Sequence, residues 1–367
     1  DDRYYRMFYP AETILAGAPL EPAERALPTP LLQRYASHTL AASQATSARS
    51  TDTSQHTYFS TLNPTKDPFL TEHLLDGRPL LPFVVAAEML LEAGRDLLHS
   101  HDVQLHNIEA VAGLRFFHDA SQDVRIEARR IDTTRVHCRL LSDFVARDGR
   151  IVDPNRLNFS AEVIAGPSLS LSQPPIHSLT RIALPNSIER QAAVYPQSGA
   201  KLYVGWPLQR LKKVALVPGG LVGNISAPAL IELAGSGRDV RGWRIPSAAL
   251  DACLFAVGIL AWRQIAPGAA LPVRMGQLRL GRLPTPGEAC QIHAQVIHST
   301  VSHTELGGRA TFNFTLYGVD AQPLVDVVDY EIAWLASPTG DSQSIQSTTF
   351  NTHDDHGSHQ LQSREQS

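Results

Sequence analysis

Two stretches of the chain are apolar on almost every side, and most of the remaining body alternates between apolar and polar positions. From Val84 to Leu98 the charged residues are Glu88, Glu92, Arg95 and Asp96, spaced three or four apart. On a helix they form one narrow stripe. So wide an apolar remainder has to be wrapped on most sides, which a curled sheet does. From Ala248 to Trp262 the only charged side chain is Asp251, so this stretch predicts a second buried helix.

Strand patterns follow each helix. After the first, Ile108 to Phe117 reads as a strand, and Val124/Ile126/Ala128, Val136/Cys138/Leu140 and Phe159/Ala161/Val163 alternate with polar neighbours. After the second, strands are predicted at about 271–281, 290–301, 309–318 and 325–334, with Ala310, Phe312, Phe314 and Leu316 in clean alternation. A helix followed by half-buried antiparallel strands, twice over, predicts an α+β fold of two similar units. The order of elements repeats; the residues themselves do not.

The boundaries follow from composition. Residues 1–55 read as an N-terminal extension, packed on a neighbour or on the domain surface, that runs into a flexible linker rich in Ser, Thr, Ala and Gln. Residues 56–165 form the first unit. Residues 166–189, with Pro167, Pro174, Pro175 and Pro185 among serines, connect it to a second unit at 190–335. That second unit opens with an irregular glycine-rich stretch before its helix. Residues 336–367 read as a disordered tail. His353, His356 and His359 beside Asp354 and Asp355 suggest weak metal capture there, but a solvated tail is the favoured reading, and no metal site is expected.

Composition narrows the class. A 367-residue chain that is 43% hydrophobic has ample core. A net charge of −4 gives no electrostatic case for nucleic acid. Cys138, Cys253 and Cys290 lack metal-ligand spacing, and so sparse a set suits a reducing, cytoplasmic setting. The longest apolar run is short for a membrane span and contains Asp251, so no membrane partner is expected. No signal-peptide organisation is present, and the chain begins Asp-Asp-Arg, as a fragment excised from a longer chain would. No P-loop, dinucleotide fingerprint or Gly-x-Ser-x-Gly elbow is found.

Candidate chemistry lies beside the two helices. His73-Leu-Leu-Asp-Gly77-Arg-Pro-Leu-Leu-Pro82 places a histidine, a turn at Asp76-Gly77 and a helix-starting proline just ahead of the first helix. A lone histidine in such a place is more often structural than catalytic. Asp251 reads equally as a helix cap or as a buried acid whose pKa is raised by desolvation.

The spacing H-x-x-x-G-x-x-x-x-P, met by His73, Gly77 and Pro82, resembles the N-terminal signature of dehydratase domains from polyketide synthases and polyunsaturated-fatty-acid-type synthases. Leu250-Asp251-Ala252 resembles their second motif. The family usually has His-Pro where this chain has Pro246-Ser247, and Gln or His where it has Phe255. Leu202-Tyr203-Val204-Gly205-Trp206-Pro207-Leu208 loosely resembles a third motif, Tyr-Gly-Pro-x-Phe, with Gly205 on the glycine.

The resemblance covers about residues 56–335. It implies a double hotdog fold, with each half wrapping an antiparallel sheet around one helix. It also implies a β-hydroxyacyl dehydratase with His73 as base and Asp251 as acid. Gly77, Pro82, Tyr203, Gly205 and Phe255 are then the expected substrate-binding and oxyanion positions. No cofactor is expected beyond the phosphopantetheine arm of an acyl carrier protein that brings the substrate. Neighbouring synthase domains and a homodimer formed through the parent synthase are the further partners implied. Arg210, Lys212 and Lys213 are the candidate carrier-docking residues. Two rivals remain: a product-template-like aldol cyclase, and an inert structural or carrier-docking module.

Overall fold

Both apolar stretches are helices, and each is enclosed by antiparallel strands. The computed structural model describes residues 28–34, 54–117, 119–146, 148–167, 169, 189–190, 195, 201–266, 268–300 and 308–334. The expectations for 1–27, for most of the two linkers and for the tail, including its histidines, lie outside the described residues.

In chain order the first half comprises β1 (Thr29–Pro30), β2 (Gln33–Arg34), β3 (Gln55–Leu62), α1 (Pro68–Thr71), β4 (His73–Leu75), β5 (Arg78–Pro79), α2 (Phe83–Leu98), β6 (Val103–Ala110), β7 (Gln122–Arg130), β8 (Arg135–Val145) and β9 (Ile151–Ala165). The second comprises β10 (Glu189–Arg190), β11 (Leu202–Val204), β12 (Leu211–Val217), β13 (Gly220–Ser226), α3 (Leu230–Ala234), β14 (Arg238–Asp239), α4 (Ser247–Gln264), β15 (Ala270–Leu280), β16 (Ala289–Thr300), β17 (Arg309–Tyr317) and β18 (Pro323–Trp334).

One 13-stranded sheet runs β10-β12-β13-β16-β17-β18-β15-β6-β9-β8-β7-β3-β2. Its halves meet where β15 pairs antiparallel with β6, Met275 opposite Ile108 and Leu278 opposite Leu105. Helix α2 packs on β6, β7, β8 and β9, whereas α4 packs on β12, β13 and β17. This is the double hotdog arrangement. Two further links cross between the halves. Strand β11 pairs with β4, placing Val204 opposite His73. Arg238 holds Asp67 in a buried two-pronged ion pair at 2.7 and 2.8 Å.

Three stretches differ from the sequence reading. The N-terminal region is not all peripheral: Leu31 and Leu32 are buried in the core, while β1 lies beside β14 and β2 extends the large sheet. Strand β6 begins at Val103 and ends at Ala110, earlier than the apolar run suggested. Its outward Gln104 and His106 hid the alternation, and residues after Ala110 turn to lie beside the loop that follows β5. The glycine-rich stretch before α4 holds the β12–β13 hairpin. Gly219 sits in its turn at φ +70°. Gly220 lets β16 approach so closely that a Cβ would lie 2.3 Å from the Ala294 carbonyl oxygen. Glycine there serves strand packing rather than a loop.

Gly94 does the same for α2. A Cβ at this position would lie 2.3 Å from Val163 Cγ2 on β9. Gly94→Ala is therefore expected to destabilise the fold by about 1–3 kcal/mol despite alanine's better helix propensity, because the methyl overfills the helix–sheet contact. A lowered denaturation midpoint with unchanged slope checks this.

Candidate active site

His73 is placed by a short hairpin. Asp76 and Gly77 both adopt positive φ, 50° and 70°, and turn β4 back onto β5 with Leu75 opposite Arg78. Such a two-residue turn favours Asp-Gly. The chain then passes through Leu80 and Leu81 to Pro82, which caps α2 from extended backbone, one residue ahead of the first helical position. The His73 ring is buried, and its Nδ1 lies 2.8 Å from the Leu80 carbonyl oxygen. A carbonyl can only accept, so Nδ1 carries the proton. Burial lowers the His73 pKa, although the Leu80 bond opposes the shift. The neutral ring therefore keeps an unprotonated Nε2, the form a general base requires.

Asp251 is the fifth residue of α4. Pro246 occupies the cap position, and no side chain caps the helix. The capping alternative is thereby removed. The Asp251 carboxyl is buried, no charged partner faces it among the described residues, and desolvation pushes its pKa up to about 7. A carboxylic acid that keeps its proton near neutrality is a competent proton donor.

Both side chains line one cavity of about 650 Å³ between the halves. Leu80, Leu81, Phe83 and Phe159 contribute from the first half; Phe255, Tyr330 and Trp334 contribute from the second. Along α4 the lining residues are Asp251, Leu254, Phe255, Gly258, Ile259, Ala261 and Trp262. They recur at helical spacing, so α4 is not wrapped all round: one face borders the cavity for about 16 Å at 1.5 Å per residue. The sequence hid this face because it is as apolar as the rest.

The other expected site residues divide. Phe255 lines the cavity and stacks on Tyr195, with ring centroids 4.5 Å apart. The Tyr195 hydroxyl accepts the Leu211 N–H at 2.9 Å, so this pair braces α4 against the chain leading into β12. Gly77 sits in the exposed turn, and neither it nor Pro82 lines the cavity. Leu202 and Val204 of β11 do line it, whereas Tyr203 lies between them and hydrogen-bonds Glu72. Gly205 is required by close approach: its N–H donates to the Glu72 carbonyl at 2.6 Å, and a Cβ would lie 1.7 Å from the Glu72 carboxylate.

The expected docking residues do not border the cavity. Arg210 is buried, pairs with Glu232 at 2.8 Å, and lies over the Trp206 ring at 4.5 Å, so its charge is already engaged. Lys212 and Lys213 are exposed on β12. The basic residues lining the cavity are Arg115 and Lys201, which the sequence reading missed. It also missed Tyr330, a buried phenol on the cavity wall whose pKa is raised by burial and further by the charge of Asp251. Tyr330 falls in the strand predicted at about 325–334, where nothing signalled a site.

Residues 38–143 match the family model of the polyketide synthase dehydratase domain. No curated protein matches the sequence. Among solved structures, the dehydratase domain from the CurF module of the curacin polyketide synthase is similar with a TM-score of 0.61 at 17% identity, over 82% of this chain and 97% of that one. The dehydratase domain from the CurJ module gives 0.60 at 12% identity, over 80% and 96%. A trans-AT polyketide synthase dehydratase domain from Brevibacillus brevis gives 0.58 at 16%, over 77% and 94%. Similar structures also include inactive mutants of the CurJ and CurK dehydratases, a histidine replaced by phenylalanine in one and an aspartate by asparagine in the other.

Proposed function

We propose that the chain is a dehydratase domain of a polyketide-type synthase, removing water from a β-hydroxyacyl thioester. The observation that carries this reading is the shared cavity. A neutral histidine from one half and a protonated aspartate from the other line the same apolar space. The inactive histidine and aspartate mutants of similar domains support the same pair of residue types.

The reaction follows from the protonation states. His73 Nε2 removes the α-proton. The electron pair forms the α,β double bond as the β-carbon–oxygen bond breaks, and Asp251 protonates the departing hydroxyl. The products are the enoyl thioester and water, leaving His73 cationic and Asp251 anionic. Return of one proton from histidine to aspartate restores the starting state, so the elimination itself consumes no cofactor. The substrate is carried on the phosphopantetheine of an acyl carrier protein, and Lys201 at the cavity replaces Arg210, Lys212 and Lys213 as the candidate cation facing it, since Arg115 beside it is engaged by Asp76 and the Leu75 carbonyl.

The pH dependence follows. Activity requires His73 unprotonated and Asp251 protonated. kcat/KM should fall as pH rises past about 7, where Asp251 loses its proton. On the acid side it should fall only below the ordinary imidazole range, because burial lowers the His73 pKa. Activity that keeps rising as pH climbs well above 7 would contradict the assignment.

Substrate choice separates this reading from its rivals. Offered a β-hydroxyacyl N-acetylcysteamine thioester and a poly-β-keto thioester, the protein should convert the first to an enoyl product and leave the second unchanged. Cyclisation of the second would favour the aldol cyclase. Inertness toward both, and toward carrier-bound chains, would favour the structural module.

A further inference from the structure

The charged stripe of α2 is exposed at Asp96 and half-buried at Glu92 and Arg95, but Glu88 is fully buried. Burial pushes the Glu88 pKa up to about 8, and its carboxyl oxygens accept backbone N–H groups from the segment that leads into α4. Oε1 accepts from Arg244 at 3.0 Å, and Oε2 accepts from Ile245 at 2.7 Å and from Arg244 at 3.2 Å. The same segment passes beside Glu92 and Arg95. A Cβ at Gly242 would be 3.5 Å from Arg95 Nη2 and 3.9 Å from Glu92 Oε1. Trp243 and Ile245 are buried on either side of Arg244, and α2 packs directly against α4.

These bonds end one residue before Pro246, and Asp251 follows at the fifth position of α4. His73 is keyed to the start of α2 through Leu80. Both site residues are thus referred to α2, one at its beginning and the other through a side chain in its second turn. We infer that Glu88 is a positioning residue that fixes the start of α4, and with it the Asp251 carboxyl, relative to His73. The inference rests on the dehydratase reading and adds a residue that touches neither the cavity nor the substrate.

Three features favour positioning over general stability. Both carboxyl oxygens accept backbone N–H groups, which hold main chain rather than another side chain. The anchored segment is short and runs straight into the helix. The bond also crosses between halves, where small displacements change the separation of groups facing each other across the cavity.

The test compares the two half-reactions. In Glu88→Gln the amide turns an N–H₂ toward backbone donors, so at least one bond is lost while volume is kept. Dehydration should fall about tenfold to a hundredfold in kcat, as expected for a displaced catalytic group. KM for an N-acetylcysteamine thioester should change little. Exchange of the substrate α-proton with solvent deuterium, which needs only His73, should stay near the wild-type rate. In an Asp251→Asn background, where only α-proton exchange remains, Glu88→Gln should leave that exchange unchanged, because the group it positions is already disabled.

Equal losses in exchange and dehydration, or a loss of exchange when Glu88→Gln is added to Asp251→Asn, would overturn the inference while leaving the dehydratase reading intact. If Glu88→Gln does not fold, Glu88→Asp keeps both oxygens on a shorter stem and should show the same split. Failure of both to fold would make Glu88 a stability residue and also overturn the inference. A wild-type protein that forms no enoyl product would overturn the dehydratase reading itself, and the inference with it.

Discussion

His73→Ala is expected to abolish both enoyl formation and α-proton exchange, each by about a hundredfold to ten-thousandfold, the usual range for loss of a general base. The two should fall together because proton removal precedes everything else. Tyr330 is a phenol whose pKa is held high and Asp251 is mostly protonated below about pH 7, so neither replaces the missing base in that range. The cost to folding should be small, because the substitution removes one hydrogen bond to Leu80 and leaves the β4–β11 and β4–β5 backbone pairing in place. A thermal melt beside the two assays separates lost chemistry from lost structure. Retained exchange would assign the base elsewhere.

Asp251→Asn should divide what His73→Ala removes together. Asparagine keeps the shape and some hydrogen bonding but delivers no proton, so dehydration should stop while α-proton exchange persists. The fold should survive, since a neutral amide replaces a carboxyl that burial already holds protonated up to about pH 7. The stability comparison has a defined sign. A raised folded-state pKa favours folding at low pH, and that advantage is lost as pH climbs through about 7, where the buried group must ionise. Above this pH the Asn variant escapes the cost, so its melting temperature should equal or exceed that of the wild type. Near-native dehydration by a folded Asp251→Asn protein would show that another group supplies the proton.

The sequence was most legible where one physical demand acted on each position. Helices α2 and α4 and strands β7, β8, β9, β16, β17 and β18 declared themselves because burial on one side, or on nearly all sides, sets a period. That His73 and Asp251 would share one cavity was signalled by motif spacing and by a charge isolated among apolar residues. The rest was hidden for identifiable reasons. Gly220 and Gly223 sit in strands that need close approach, and they read as a loop. Arg210 and the two lysines after it read as a basic patch, but Glu232 across the fold engages the arginine, and no local pattern shows that. Tyr203 and its neighbours could not be divided between cavity and exterior until β11 paired with β4 and fixed which residues face inward. The stripe on α2 read as a charged edge. Only the tertiary structure shows Glu88 holding the segment that begins α4.

The central claim is that the cavity shared by His73 and Asp251 eliminates water, and the most direct measurement is the mass of a chain on its carrier. A β-hydroxyacyl group loaded on the phosphopantetheine of an acyl carrier protein is incubated with the wild-type protein and the carrier is weighed. The account predicts a species lighter by one water, absent with His73→Ala and Asp251→Asn. An unchanged mass with the folded wild-type protein, across short and long β-hydroxyacyl chains of both configurations, would contradict it.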